Sequence, residues 1–142
     1  MSKKPLPIPL GMSICDMIIE DKKTGKKSLI GMFSTVSTHQ VPCVVSRFAV
    51  FISLTEGIGD YSCSLRCIRA KDNLLIAETK GTVKFTDRAE VVEIALEIAG
   101  LSIPEYGYYR LELYCDDSLL ISRKFTVAPM PQIPMPNPEE TK

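Results

Sequence analysis

Residues 108–127 read Tyr-Tyr-Arg-Leu-Glu-Leu-Tyr-Cys-Asp-Asp-Ser-Leu-Leu-Ile-Ser-Arg-Lys-Phe-Thr-Val, and this stretch decides the fold. Apolar and polar side chains alternate in both of its halves. The predicted inward-facing residues are Tyr109, Leu111, Leu113 and Cys115 in the first half and Leu119, Ile121, Phe125 and Val127 in the second. A period of two is typical of half-buried antiparallel strands and not of helices. We therefore predict two antiparallel strands joined by a tight turn, with Asp116 and Asp117 at its tip.

One residue interrupts the alternation of this hairpin. Arg123 falls in register with Ile121 and Phe125, on the face that is predicted to point inward. A guanidinium group in that position is expected either at an open strand edge or against a carboxylate or carbonyl oxygen. The simpler interpretation is that its aliphatic part covers apolar surface while its charged end reaches water at the margin of the sheet.

The same alternation extends outward to residues 44–54, 61–69 and 74–79. The signals that separate the runs are typical of turns, namely Thr24-Gly25, Gly57 with Gly59, and Lys71-Asp72-Asn73. Residues 91–98 are ambiguous, because their apolar residues fit either a strand or one stripe of a helix. Asp87 and Glu90 resemble a capping box and Gly100 a helix stop, but the flanking hairpins favour a strand, which we predict.

The regular spacing of short strands and turns predicts an all-β fold. We expect an antiparallel β-sandwich of seven to eight strands, immunoglobulin-like or jelly-roll-like, with a small closed barrel as the competing architecture. A chain of 142 residues has the length of one domain. Prolines cluster at both ends, so we divide the chain into a proline-rich N-terminal arm (1–11), a sandwich domain (12–128) and a proline-rich C-terminal tail (129–142). We expect both arms outside the sheets, either disordered or docked on a partner or neighbouring subunit.

Charge and hydropathy exclude several classes of partner. Lys plus Arg and Asp plus Glu both number 17, so the net charge is zero and the basic excess used to bind nucleic acid is missing. No polybasic segment for anionic lipid and no apolar run of membrane-spanning length is present. Prolines interrupt the first ten residues, so no signal peptide is predicted. We therefore expect a cytoplasmic protein with no nucleic-acid or membrane partner.

The five cysteines suggest the sharpest candidate site. Cys63 and Cys67 are four residues apart on a predicted strand, so both project from one face, where Cys115 and either His39 or Cys15 would complete a thiol or metal site. Structural zinc sites, however, usually use Cys-x-x-Cys knuckles, which the sequence lacks. Buried reduced thiols are the preferred interpretation, so no metal and no cofactor are predicted.

The sequence contains no catalytic signature. His39 is the one histidine, and it lies in a polar loop with no Gly-x-Ser-x-Gly motif anywhere to hold a nucleophile. Asp116 and Asp117 are explained by turn chemistry. The lysines of residues 22–27 form a basic turn that Glu20 and Asp21 partly neutralise. We therefore predict that the protein is not an enzyme, with no catalytic residue and no known binding residue.

Three segments in order carry a family resemblance. They are the strand–turn–strand of residues 15–33 that ends in Gly-Met-Phe, the glycine loop and strand of residues 57–73, and residues 103–127 beginning Ile-Pro-Glu-Tyr-Gly-Tyr-Tyr. Together they resemble an uncharacterised bacterial family of small β-sandwich proteins, a domain of unknown function. The third segment has Tyr106-Gly107 where the family pattern has Pro-Gly. The resemblance implies a sandwich fold and no activity.

The function expected from these observations is a non-catalytic β-sandwich interaction or assembly module. Its partner would be another protein or a second copy, since sandwiches expose edge strands and loop ends. Tyr108 and Tyr114, predicted to face outward, would contribute to such a surface. The alternative is a β-sandwich that binds a small, carbohydrate-like ligand, against which the absence of tryptophan counts.

Overall fold

A computed structural model of the protein describes residues 4–131, which form nine β-strands and no helix. The strands are β1 (Ile8–Glu20), β2 (Lys27–Met32), β3 (Thr35–Thr38), β4 (Cys43–Thr55), β5 (Gly59–Arg69), β6 (Leu74–Phe85), β7 (Val92–Ile103), β8 (Gly107–Cys115) and β9 (Ser118–Pro129). The prediction of an all-β sandwich is confirmed. The described residues contain one strand more than the seven to eight predicted, because the four residues of β3 are too few to show an alternating pattern.

The strands form two sheets. The four-stranded sheet has the order β2-β1-β4-β7, and the five-stranded sheet has the order β3-β9-β8-β5-β6. Their pairs are antiparallel except β3 with β9, which is parallel. The predicted antiparallel sandwich therefore contains one short parallel pair. This pair arises because the chain passes from β2 in one sheet to β3 in the other through residues 33–34 and does not turn back in a hairpin.

The core lies between the two sheets and is mostly aliphatic and aromatic. The largest fully buried side chains are Tyr61, Tyr109, Ile14, Ile52, Leu54, Ile103 and Leu111. Tyr61 meets Phe85 edge to face, with ring centroids 5.7 Å apart, and Tyr109 stacks on Phe125 at 5.6 Å. Burial of each such side chain contributes about 1.5–3 kcal/mol to the free energy of folding. This shared core therefore holds the two sheets together.

The β8–β9 hairpin confirms the predicted strand pair, with one correction. The pairing shifts by one residue between Leu113 and Tyr114, so Leu119 lies opposite Tyr114 and is 49% exposed. It is therefore not on the inward face. Arg123 does face inward, opposite Leu111, and its Nη2 donates to the Ser34 hydroxyl at 3.0 Å. Its Nε is buried without a partner among the described residues, so Arg123 meets a hydroxyl in place of the expected carboxylate or carbonyl.

Residues 92–103 form a strand, which confirms the preferred interpretation of this ambiguous segment. β7 pairs with β4 along its whole length. The residues that resembled a helix cap form a turn instead: the Asp87 carboxylate accepts from the Ala89 N–H at 2.9 Å, and the Glu90 carboxylate accepts from Thr86. Pairing with β4 within the four-stranded sheet decided between two local patterns that the sequence left nearly equal.

Parts of both predicted arms belong to the sheets. Residues 8–11 begin β1, where Ile8 pairs with Thr55 and Pro9 with Leu54. At the other end, Pro129 is the last residue of β9, and the Met130 N–H donates to the Thr38 carbonyl at 3.0 Å. Proline is tolerated here because it occupies a strand end or a position next to a register shift. The remaining predicted tail, residues 132–142, lies outside the described residues.

Candidate functional site

Four large apolar side chains cluster on the outward face of the β1–β2 hairpin. We call this surface the hairpin patch and define it by Met17, Ile19, Ile30 and Met32, which are 52%, 48%, 44% and 62% exposed. Met17 pairs directly with Ile30 across the two strands, and Met32 pairs with Cys15 two residues away. Side chains at directly paired positions stand on the same face of a sheet. The four therefore form one continuous apolar surface.

The hairpin reaches this position because β1 bends after Cys15. Cys15 is the last residue of β1 that pairs with β4, opposite Ala49, and a straight strand would continue from there toward the start of β4. Instead, Lys27 Nζ near the hairpin tip lies 3.1 Å from the Glu93 carboxylate, and Glu93 pairs with Ser53 near the other end of β4. The outer half of the hairpin therefore folds back over the outer face of its own sheet.

A cavity of about 450 Å³ lies beneath the folded-back hairpin. Its residues include Glu20, Lys27, Arg47, Ala49, Ala95 and Glu97. Ala49 and Ala95 are small, so they leave space between the hairpin and the sheet. Lys27 bonds to Glu93 and Glu20, which raises the pKa of its ammonium group, and Arg47 bonds to Glu97. The cavity thus combines apolar surface with cations that already have carboxylate partners.

The outer face of the five-stranded sheet carries the predicted outward tyrosines. Tyr108 is 58% exposed, and Lys124 Nζ lies 4.8 Å from its ring centroid. Tyr114 is half-buried beneath the Arg66 guanidinium, 4.0 Å from its ring centroid. The expectation that both rings point outward is confirmed. Each ring nevertheless contacts a cation of the same sheet, so neither offers a bare aromatic platform of the kind that sugars favour.

The structure brings together two of the thiols that the sequence singled out. Cys63 lies directly opposite Cys115, with the two sulfur atoms 2.6 Å apart. Cys67 lies on the same inward face but opposite Leu111, Cys15 belongs to the other sheet, and His39 lies in the loop after β3. Within residues 4–131 no group of three or more His, Cys, Asp or Glu side chains is placed to hold a metal ion.

The thiols differ in their pKa values because their surroundings differ. The pKa of Cys63 is lowered, first because the Cys115 thiol hydrogen-bonds to its sulfur and also because the Lys4 ammonium lies nearby. The pKa of Cys115 is raised by the same hydrogen bond and by burial. Burial alone raises the pKa of Cys67 to about 12. Cys63 is therefore the thiol of this group most disposed to ionise.

The remaining polar residues considered from the sequence have structural roles. Asp116 and Asp117 both have positive φ, 47° and 67°, as a two-residue hairpin turn requires. The Asp116 carboxylate accepts from the Ser62 N–H at 3.0 Å and lies 3.6 Å from Lys4 Nζ. His39 is exposed in its loop. Among the described residues these side chains do not converge on a common cleft.

Sequence reasoning did not identify the hairpin patch. The turn signal Thr24-Gly25 predicts a hairpin at residues 15–33, but consecutive apolar residues such as Met17, Ile18 and Ile19 do not show which of them faces solvent. The sequence also does not show that the strand bends.

Comparison with known proteins places the chain in an uncharacterised group. Residues 11–128 match the model of a family described as a family of unknown function (DUF6941). The match extends over most of β1 and through all the later strands almost to the end of β9. No curated protein matches the chain. The described residues also contain no helix that is long and apolar enough to cross a membrane.

Proposed function

The chain belongs to DUF6941, a family of unknown function, and we propose that it is a non-catalytic β-sandwich that assembles with a second copy of itself through the hairpin patch. The observation that carries this proposal is the patch itself, four large apolar side chains that are each at least 44% exposed. Contiguous apolar surface of this kind is uncommon on monomers and marks interaction sites.

The position of the patch favours a copy of the same chain as the occupant. β2 is an edge strand of the four-stranded sheet, so Ile30 and Met32 stand beside a backbone edge with which no other strand of residues 4–131 pairs. A two-fold axis next to β2 places identical apolar surfaces opposite one another, which is the isologous contact of most homodimers. The chain has zero net charge, so two copies do not repel each other strongly.

The contact is expected to depend on side chains more than on backbone pairing. Gly31, in the middle of the β2 edge, has a positive φ of 71°, which interrupts the regular backbone geometry between Ile30 and Met32. Such irregular edges discourage a continuous ladder with another strand. The free energy of association therefore comes mainly from apolar area removed from water, at about 25 cal/mol per Å².

The oligomeric state of the full chain tests this proposal. We expect a dimer by light scattering at about 100 µM, well above the micromolar Kd of a modest interface. The double variant Ile30→Lys with Met32→Lys is expected to be a folded monomer, because each copy would place charges against the other. The control is Leu74→Lys with Leu75→Lys on β6, two side chains of similar exposure, 46% and 49%, on another edge strand. This control is expected to stay dimeric.

Two outcomes contradict the assembly proposal. One is a monomeric wild-type protein at the same concentration. The other is equal dissociation of the β2 and β6 variants, which would mean that the hairpin patch has no special part in assembly. Circular dichroism of every variant shows whether the sandwich is folded, so loss of assembly is distinguished from loss of structure.

Binding of a small ligand in the cavity beneath the hairpin is the second candidate function. Its volume of about 450 Å³ lies in the range of small-molecule sites, about 300–1,000 Å³. The carbohydrate-like ligand expected from the fold class is less favoured than a small amphipathic molecule, because no aromatic ring lines the cavity and its lining combines apolar side chains with the paired charges of Lys27, Arg47 and Glu97.

A thermal-shift screen with sugars, amino acids and nucleotides tests this second candidate. A ligand that binds the native protein raises the Tm. The rise in Tm is expected to vanish in Ala95→Leu, because the larger side chain fills the cavity from β7. It is expected to persist in Ala99→Leu, an exposed position on the same face of β7 and further along the strand. A screen without any shift contradicts the ligand-binding candidate.

We further propose that the protein is bacterial, is located in the cytoplasm, and has neither a nucleic-acid nor a membrane partner. The free cysteines, the zero net charge and the resemblance noted above support this setting. Fractionation of the source cells followed by immunodetection tests the location, and recovery in the envelope fraction would contradict it.

A further inference from the structure

Cys63 and Cys115 occupy a backbone position that suits a cross-strand disulfide. The Asp116 N–H donates to the Ser62 carbonyl at 2.8 Å, so the pair Ser62–Asp116 is a hydrogen-bonded pair of the β5–β8 ladder. The next pair, Cys63–Cys115, is therefore of the non-hydrogen-bonded type, in which Cα atoms are only about 4.5 Å apart. That separation falls within the range of about 4.4–6.8 Å found for disulfides.

The two side chains are already directed at each other. Their sulfur atoms are 2.6 Å apart, closer than two thiols in ordinary non-bonded contact. Cys67 offers a built-in comparison, because it has the same orientation on β5 but faces Leu111 across the ladder. Among the described cysteines, Cys63 and Cys115 thus form the pair whose geometry allows a bond without movement of the backbone.

A small oxidant has a route to this pair. Cys63 lines a gap of about 120 Å³ between β6 and β7, and that volume is several times the share of one water molecule, about 30 Å³. The gap exists because β6 and β7 are the edge strands of opposite sheets and do not pair with each other. Lys4 lies beside the pair, with its Nζ 3.9 Å from the Tyr61 ring centroid and 3.6 Å from the Asp116 carboxylate.

We propose that Cys63 and Cys115 are a modification site, at which a peroxide oxidises the two thiols to a reversible disulfide. This inference is independent of the proposed assembly, because the pair lies inside the five-stranded sheet and the hairpin patch lies on the other sheet.

The chemistry balances with hydrogen peroxide as the oxidant. The Cys63 thiolate attacks one peroxide oxygen, the O–O bond breaks, and the departing hydroxide takes a proton to become water, which leaves a sulfenic acid on Cys63. The Cys115 sulfur then attacks the Cys63 sulfur, the S–O bond breaks, and the leaving hydroxide takes the Cys115 proton as a second water. Both sulfur atoms are oxidised and both peroxide oxygens are reduced. A dithiol such as dithiothreitol reverses the reaction by thiol–disulfide exchange.

Intact mass and cysteine labelling of the full chain test the proposal. After mild peroxide treatment we expect a mass loss of about 2 Da, the two hydrogens that leave when two thiols become one disulfide. Alkylation after unfolding is expected to label three of the five cysteines. A non-reduced digest is expected to join the peptide of Cys63 to that of Cys115, and dithiothreitol to restore the original mass and five labels.

Two variants keep the test decisive. Cys67→Ser is expected to lose 2 Da like the wild type, whereas Cys115→Ser is expected to add oxygen at Cys63 without forming the link. If Cys115→Ser does not fold, the peptide map of the wild-type protein decides alone. A disulfide between other cysteines, or five labelled cysteines after peroxide treatment, would overturn the proposal.

Discussion

At the scale of single residues, burial gives Cys67 a chemistry different from that of its neighbours on β5. It is 3% exposed and has no thiol partner among the described residues, so burial raises its pKa to about 12 from an ordinary value of 9.0. Its folded pKa is therefore raised above its unfolded pKa. The stability contributed by keeping this thiol neutral is fully present below pH 9.0 and is lost as the pH rises toward 12.

Replacing Cys67 is expected to flatten the alkaline part of the stability curve. Cys67→Ala lowers the free energy of unfolding at neutral pH, because it leaves a small cavity. Between pH 9 and pH 11, ionisation of Cys67 in the unfolded state lowers the free energy of unfolding of the wild type by up to about 1.4 kcal/mol per pH unit. The Cys67→Ala variant lacks this contribution. Urea unfolding at a series of pH values measures both effects. Cys43→Ala on β4 is the control, and an alkaline slope for Cys67→Ala equal to that of the wild type would contradict the prediction.

At the same scale, the sequence correctly indicated that Arg123 lies on an inward face. It did not indicate the Ser34 hydroxyl as its partner, because Ser34 is 89 residues away in the chain. The shift in pairing at Tyr114 was also hidden, so Leu119 was wrongly assigned to the core. Local alternation predicts orientation, but a register shift inside a hairpin depends on how the neighbouring strands pack.

At the scale of elements, the turn between β4 and β5 depends on a close approach that only glycine allows. A Cβ on Gly57 would overlap the ring of Phe85, which is 2% exposed and packs edge to face on Tyr61. Gly81 in β6 has the opposite surroundings, since a Cβ there meets no atom within 4 Å. The two glycines provide a matched pair on neighbouring elements.

Gly57→Ala is expected to lower the free energy of unfolding by about 1–3 kcal/mol, because the Phe85 ring must move from its packed position. Gly81→Ala is expected to change it by no more than about 0.5 kcal/mol. Chemical denaturation of both variants in parallel measures the difference. Equal effects would mean that the ring adjusts to the extra methyl group without cost.

The elements themselves were largely predictable. Alternation indicated β8, β9 and most of β4 and β5, and the hairpin context correctly favoured a strand over a helix for β7. The short parallel strand β3 was missed, because its four residues in a polar stretch show no periodicity and its partner β9 lies some 90 residues further along the chain. β3 is therefore identified only by its pairing with β9 in the folded protein.

At the scale of the whole molecule, the N-terminal segment closes one end of the sandwich. The buried Tyr61 hydroxyl donates to the Pro5 carbonyl at 2.5 Å and accepts from the Ile58 N–H at 2.9 Å. Lys4 adds contacts to the Asp60 carbonyl and to the Tyr61 ring. One hydroxyl therefore connects the first described residues to the loop before β5.

Tyr61→Phe is expected to loosen this end of the molecule. Loss of the hydroxyl leaves the Ile58 N–H without its acceptor, at a cost of about 1–3 kcal/mol. The N-terminal segment is also expected to be removed faster by a non-specific protease, as followed by mass spectrometry. The control is Tyr106→Phe, which removes the hydroxyl that donates to the Thr38 carbonyl at 3.3 Å. This variant is expected to leave the rate of trimming of the N-terminal segment unchanged. Equal trimming of the two variants would contradict the role given to Tyr61.

By itself, the sequence determined that this protein is all-β and where most of its strands lie, because the period of two is a local property of side chains. It also determined that the chain has no tryptophan, one histidine and a formal net charge of zero. Only the tertiary structure decided that β1 bends to expose the hairpin patch, that β3 runs parallel to β9, and that Cys63 meets Cys115 while Cys67 does not. The physical reason is that bends, crossings and cross-strand neighbours depend on contacts between residues far apart in the chain, which no local pattern records.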